Sequence, residues 1–452
     1  MVSASSAPAA RGVFARFVHS EAASSVILLA CTVLALAWAN SRWHDAYEAL
    51  AHLPLGVTVA GRTFALPVHE WINDGLMALF FFVVGLEIKR EVVVGQLSSV
   101  RRAVLPASAA LGGMVVPAAI YAIFNAGGPG AHGWGIPMAT DIAFALGVLA
   151  LLGPRVPSSL KIFLTALAIG DDLGAVLVIA VFYTETIRLA PLGLAVVLLG
   201  LFFLLLRGRV RQPLVLLVPV IAVWLAILAS GIHATVAGIL VAMMVPMRAA
   251  LPPQRFAEIV RSRLPELERG SVTQDSVLLE EEQLDTLLAL HDAAADVRPP
   301  GLTLERALHP VQAYVVLPLF VLFNAGIVLG GSVLAGVTSA ISLGVILGLL
   351  LGKPIGLMLL SWLAVRSGLA ALPGDVSWRA IFGVGWLAGI GFTMSLFVSG
   401  LAFKSGPALE QAKMGILAGS LVAGVTGYLV LRWALPSAPA AAAPRAAAPS
   451  RP

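Results

Sequence analysis

Two adjacent aspartates, Asp171 and Asp172, stand in the middle of an apolar stretch, Ala168-Ile-Gly-Asp-Asp-Leu-Gly-Ala175. Two more ionisable residues interrupt apolar runs: Asp141, which follows Thr140, and Lys353 in Gly352-Lys-Pro-Ile-Gly356. An Asp or Lys at the centre of a bilayer costs roughly 2.5–3.5 kcal/mol, so four unpaired ones would cost on the order of 10 kcal/mol, as much as a whole domain's stability. They must be paired, hydrated or used. Adjacent residues on a helix point about 100° apart, so both aspartates can reach one polar cavity. Two carboxylates so close resist double ionisation unless a cation joins them. Such a site holds a proton or a hard cation but not readily both, which is the chemistry of exchange. The plainer alternative is that one aspartate only pairs with Lys353 for structure. Lys353 itself could neutralise a carboxylate, offset helix-end dipoles or carry a proton, and the sequence leaves these roles open.

The elements around these charges look broken on purpose. In Gly135-Ile-Pro-Met-Ala-Thr-Asp-Ile-Ala-Phe144, Pro137 and the pair Thr140/Asp141 would ordinarily start a helix, yet the segment is long enough to span. A helix discontinuous at membrane depth is the economical reading. A second candidate break is Gly385-Trp-Leu-Ala-Gly389-Ile-Gly391-Phe-Thr393, whose glycines could otherwise merely allow close helix packing. Broken spans in matching positions of two halves point to a transporter site. Unwound carbonyls, Thr140 and the carboxylates offer the oxygen ligands that a hard cation prefers.

Composition supports a membrane setting. Hydrophobic residues make up 59% of 452 positions and charged ones 12%, against about 25% charged in soluble domains. Twelve spans are expected, near 22–40, 72–88, 103–124, 135–153, 159–183, 189–206, 213–229, 231–247, 311–331, 334–365, 379–403 and 412–435. The first is long for a signal peptide and is read as a retained helix. With both termini in the cytoplasm, 23 of the 29 Lys and Arg fall on the cytoplasmic side and five outside, which the positive-inside rule favours. The net charge of +5 is too diluted for nucleic acid, and the lone Cys31 excludes a disulfide framework or cysteine metal site. No Tyr-Asp pair is present and the segment reads Ala168-Ile-Gly-Asp171, which weighs against an intramembrane aspartyl protease. A proton-coupled transporter of another small solute is the stronger rival.

The expected architecture is an all-α polytopic membrane protein: an N-terminus (1–21), a transporter domain (22–435) and an Ala/Pro-rich disordered tail (436–452). A polar cytoplasmic insert (249–310) contains a helix-patterned stretch at 276–295, and residues 53–68 alternate around Ala60-Gly61 as an external β-hairpin. Glu87 and Glu91 share a helix face beside Lys89 and Arg90, either as a cation funnel or as an ordinary solvated helix end. His233, in Ser230-Gly-Ile-His-Ala-Thr235, starts a span near the external face and suits a helix-end hydrogen bond better than a ligand role. His309 stands before Pro310 at the cytoplasmic start of a span.

Seven ordered motifs resemble the bacterial NhaA-type Na+/H+ antiporter family from about residue 20 to 435: Trp71-Ile-Asn-Asp-Gly75, Phe80-Phe-Phe-Val-Val-Gly-Leu-Glu-Ile-Lys-Arg-Glu91, Ala139-Thr-Asp-Ile-Ala-Phe-Ala-Leu-Gly147, Ile169-Gly-Asp-Asp-Leu-Gly174, Ser230-Gly-Ile-His-Ala-Thr235, Gly352-Lys-Pro-Ile-Gly356 and Gly389-Ile-Gly-Phe-Thr-Met-Ser395. This family is itself a type example of the broken-helix rule used above. The resemblance implies twelve spans with inverted repeats, spans 4 and 11 discontinuous and crossing near the aspartates, and a multi-pass protein of the bacterial inner membrane. It implies exchange of Na+ or Li+ for H+ with no cofactor, by rocking of one helix bundle, electrogenic and activated at alkaline pH. Asp172 looks like the principal cation carboxylate, Asp171 its partner towards Lys353, and Thr140/Asp141 the nearby break. Glu87, Glu91, Glu305, His309 and His233 are the candidates for the pH-responsive funnel, and the hairpin suggests a homodimer. Arg306 stands where some relatives carry a histidine, and the insert is long for the family.

Overall fold

The protein is described by a computed structural model, covering residues 21–59, 62–184, 186–210, 212–269, 281–328 and 333–436. It is mostly helical, with one two-stranded antiparallel sheet among the described residues. Eight helices there are long and apolar enough to cross a membrane, or ten if each of two bent pairs is one span. The other two expected spans fall short for physical reasons. Met77–Val93 has Glu87, Lys89, Arg90 and Glu91 in its last turns, and Thr235–Met244 is only 10 residues long because its start is unwound at Gly231–Ala234. The N-terminus, the Ala60-Gly61 turn, the middle of the insert and the Ala/Pro tail lie outside the described residues.

Helices contact one another in two compact units. The first draws on residues up to His69, on Ser99–Tyr183 and on Leu317 onward. It opens with α1 (Glu21–Ala39), and after a 114° bend α2 (His44–Ala51) follows. Two side chains tie this corner down: Asn40 Nδ2 donates to Ile327 O (2.7 Å) and Tyr47 Oη to Leu322 O (2.8 Å). The hairpin pairs β1 (Pro54–Val59) with β2 (Arg62–Pro67), in register from Pro54↔Pro67 to Val59↔Arg62.

Next in this unit is α4 (Val100–Asn125), which carries Pro106 and Pro117 inside it. A 3-10 stretch (Ala131–Met138), α5 (Ile142–Leu151) and α6 (Ser158–Phe182) follow. Its later part holds α13 (Leu317–Asn324) and α14 (Ala340–Leu347), then a π-turn at Gly348–Gly352 and α15 (Lys353–Arg366). The last elements are α16 (Trp378–Ala388), α17 (Phe392–Phe403) and α18 (Pro407–Ala434). Helices α4 and α15 meet backbone to backbone. A Cβ on Gly112 would lie 2.0 Å from Gly356 O, and one on Gly356 equally close to Gly112 O, so only glycine fits on either side.

The second unit comprises Glu70–Ser98 and Thr184–Val316. A π-turn (Trp71–Leu76) leads into α3 (Met77–Val93). Then come α7 (Leu189–Arg207), α8 (Pro213–Ser230) and α9 (Thr235–Met244). Leu86, Phe202, Val223, Ile227 and Val241 interlock at its core. Helix α9 lies so close to α3 that a Cβ on Gly238 would fall 2.1 Å from Ala78 O. The expected insert contains α10 (Pro253–Arg269) and α11 (Glu281–Val297), joined where Thr286 Oγ1 donates to Glu266 Oε2 (3.0 Å). Helix α12 (Pro300–Val311) starts well before the span expected at 311, with proline in its first turn where a missing N–H costs nothing.

Candidate functional site: two crossed helix breaks

Both expected breaks are present in the first unit. The 3-10 stretch ends at Met138, Ala139–Asp141 is extended, and α5 begins at Ile142. Helix α16 ends at Ala388, and α17 restarts at Phe392 with a 45° bend. The breaks touch through the main chain: Asp141 N donates to Ile390 O at 2.6 Å. Ser395 Oγ on α17 donates to Ile136 O (2.7 Å), satisfying a carbonyl freed by the interruption.

Asp141 serves both helix starts. Its Oδ1 accepts from Phe144 N at the opening of α5 (3.1 Å). Its Oδ2 accepts from Thr393 N (3.0 Å) and Thr393 Oγ1 (2.5 Å) at the opening of α17. Each N-terminus carries about +0.5 elementary charge, so one carboxylate matches the two.

Asp171 and Asp172 lie mid-helix on α6, and both are buried. Lys353 is fully buried, and its Nζ donates to Asp171 Oδ2 at 2.6 Å and to Thr140 Oγ1 at 3.0 Å. The Thr140 hydroxyl has one hydrogen and two acceptors within reach, Asp171 Oδ2 (2.6 Å) and Ala388 O at the end of α16 (2.9 Å). Asp171 Oδ1 is buried and accepts no hydrogen bond among the described residues. Gly113 of α4 keeps space beside this pair, since a Cβ there would lie 3.7 Å from Lys353 Nζ and 3.8 Å from Asp171 Oδ1. Asp172 acts electrostatically on Lys353 as well. Three buried carboxylates, one buried ammonium and the helix ends of both breaks thus gather in one region of the first unit.

The remaining candidates sit in the second unit, in two groups at opposite ends of α3. At its end, Glu87 is within electrostatic reach of Glu305, Arg90 and Glu91. Arg90 bridges Glu91 (3.1 Å) and Glu305 (3.4 Å). Lys89 was not expected to matter, yet its Nζ donates to Met243 O and Val245 O, both at 2.6 Å, closing the end of α9. His309 lies exposed one turn beyond Glu305 on α12. His233 does not join this cluster. It opens α9, with Nδ1 against Thr235 Oγ1 (2.8 Å) and Nε2 3.3 Å from Asp74 Oδ1. Asp74 precedes Glu87 by thirteen residues, about 20 Å along a helix. Asp74, Thr393 and Ser395 lie within two of the sequence motifs, but their partners His233, Asp141 and Ile136 are more than 150 residues away along the chain, so nothing in the sequence marks these contacts.

A polytopic helical protein with three carboxylates and a lysine buried where two interrupted helices meet has the form of a membrane transporter. The comparisons carry this further. The model of the family described as Na+/H+ antiporter 1 matches residues 15–431, and the chain belongs to that family. It is accordingly a secondary transporter and not an enzyme. The "Na(+)/H(+) antiporter NhaA 2" of Sorangium cellulosum is 47% identical over 423 residues, covering 92% of this chain and 90% of the relative. The "Na(+)/H(+) antiporter NhaA" of Oleidesulfovibrio alaskensis is 46% identical over 419 residues, 93% of each chain. That of Wolinella succinogenes is 42% identical over 421 residues, again 93% of each.

Proposed function

We propose that this chain exchanges Na+ (or Li+) for protons across the bacterial inner membrane, with Asp172 and Asp171 as the carboxylates for which cation and proton compete. The observation that carries this reading is the buried arrangement around Asp171. One carboxylate oxygen is held by Lys353 and Thr140, and the other accepts no hydrogen bond among the described residues. With Asp141, Asp171 and Asp172 ionised and Lys353 charged, the formal side-chain charge is −2, which two protons can meet, or one monovalent cation with one charge left over. Replacement of two protons by one Na+ then moves net charge, so the cycle responds to membrane potential as well as to pH. Lys353 holds Asp171 in place and shares in the charge change. Thr140 supplies a cation oxygen, and Asp141 contributes to the cation site chiefly by neutralising the helix starts that frame it. Alternate exposure of the site to the two sides completes the cycle.

The finer organisation proposed is twelve spans in inverted repeats with both termini cytoplasmic, the domain limits given above, and a homodimer formed through the exposed hairpin edges. Glu87, Glu91 and Glu305, joined through Arg90, together with His309 one turn further along α12, form the cytoplasmic group that raises activity at alkaline pH, and His233 adjusts it from the other end of α3.

The test uses inside-out vesicles from an antiporter-deficient host. Added Na+ should alkalinise the lumen with the native chain and not with Asp172→Asn. A well-expressed native chain that gives no response between pH 6 and 9 would sink the proposal in favour of a proton-coupled carrier of another solute.

A further inference from the structure

A cavity of about 260 Å³ lies within the first unit, lined by Leu151, Leu152, Arg155, Tyr428 and Arg432. Its volume is several times the roughly 30 Å³ share of one water molecule. It sits where α5 and α18 both end. Arg155 closes the 3-10 turn (Gly153–Arg155) after α5, and Arg432 is in the last turn of α18. The carbonyl ends of these helices favour cations, so some positive charge is expected there. Two features go beyond that. Neither Arg155 nor Arg432 has a carboxylate partner among the described residues, so both guanidiniums keep their donors available to a ligand. Both guanidiniums also line one half-open hollow together with a phenol. Two planar guanidinium forks around one cavity match the oxygens of a phosphate, which each can bind in bidentate fashion.

The surroundings say where the phosphate comes from. Leu421, Val425 and Leu429 follow at intervals of four along α18, the helix that carries Tyr428 and Arg432, and are 68%, 54% and 56% exposed, forming an apolar strip. Leu151, which lines the cavity, is 68% exposed. Beside it, Trp433 is 73% exposed with the Arg379 guanidinium stacked over its ring at 5.0 Å, the kind of aromatic and basic pair that anchors a helix end at headgroup level. A soluble anion needs no apolar strip, whereas a phospholipid needs both parts.

We propose that the cavity between the ends of α5 and α18 binds the phosphate-bearing headgroup of an anionic phospholipid through Arg155 and Arg432, its acyl chain lying along Leu421, Val425 and Leu429. Basic pockets between spanning helices are the recurring form of such sites. Because α5 continues directly from the Thr140/Asp141 break, an occupied site would brace the outer end of the helix that frames the exchange centre. The inference does not depend on which ion is exchanged.

The test follows thermal unfolding of the purified full-length protein in detergent after addition of dioleoyl phosphatidylglycerol, dioleoyl phosphatidylcholine or inorganic phosphate. For the native chain, phosphatidylglycerol should raise the midpoint by several degrees more than equimolar phosphatidylcholine, and inorganic phosphate should do nothing. In Arg155→Gln/Arg432→Gln the phosphatidylglycerol shift should fall to that of phosphatidylcholine, while Arg101→Gln/Arg102→Gln keeps it. Equal shifts from both lipids, an undiminished shift in the cavity double variant, or an equal effect of inorganic phosphate would each overturn the proposal. Should the cavity variant not fold, amide exchange on the native chain decides. Slower exchange at 152–156 with phosphatidylglycerol than with phosphatidylcholine supports the site, and no difference refutes it.

Discussion

The crossed breaks of the first unit and the charged end of α3 in the second use the same kinds of side chain to opposite effect. In the former, Lys353 and Asp171 are fully buried and meet at 2.6 Å, with Thr140 as the shared neighbour. In the latter, Arg90 is about a third exposed and divides itself between Glu91 at 3.1 Å and Glu305 at 3.4 Å. A buried pair loses its hydration and depends on every contact, so removing one partner is costly. A pair that solvent reaches only on the Arg90 side, as here with Glu91 and Glu305 at 14% and 9% exposure, is partly screened and contributes less. Charge placed in the first setting is therefore committed to a single task, whereas charge in the second can change state without threatening the fold.

This contrast can be tested through stability. The largest effect is expected for Lys353→Met, which strands the Asp171 carboxylate. It should lower unfolding stability by about 3–5 kcal/mol, and adding Asp171→Leu should restore most of the loss. A single variant no less stable than the native chain would break the comparison. Thr393→Val comes next, since it removes one of three hydrogen bonds to Asp141. A loss of about 1–3 kcal/mol is expected by the same unfolding measurement, because a buried carboxylate is left short of a donor. Lys89→Met should cost about as much by freeing two carbonyls at the end of α9, which would show that even the second unit holds one committed cation. The smallest change is expected for Arg90→Gln, within about 1 kcal/mol and shrinking further in high salt. Its effect should instead appear as a displaced pH profile of exchange in vesicles.

Much of this arrangement was legible in the residue order. Pro137 before Thr140/Asp141 and the glycines at 389 and 391 marked the breaks, because punctuation acts locally on the chain. The hairpin followed from alternation alone, and the breaks and strands fall where expected. What the order could not convey was partnership between distant segments. That Asp141 would cap two helices rather than one depends on α17 arriving beside α5, a separation of about 250 residues. Lys89 looked like part of a solvated helix end, but Gly85 and Gly238 let α9 approach until its last carbonyls lay within reach. Asp74 was hidden for the same reason: its relation to His233 exists only once α3 and α9 pack together.

The bond from Asp141 N to Ile390 O is made by atoms that every residue but proline possesses. The stitch between the two interrupted helices therefore does not depend on which side chains its two residues carry, whereas the bonds of the Asp141, Thr393 and Ser395 side chains around it do.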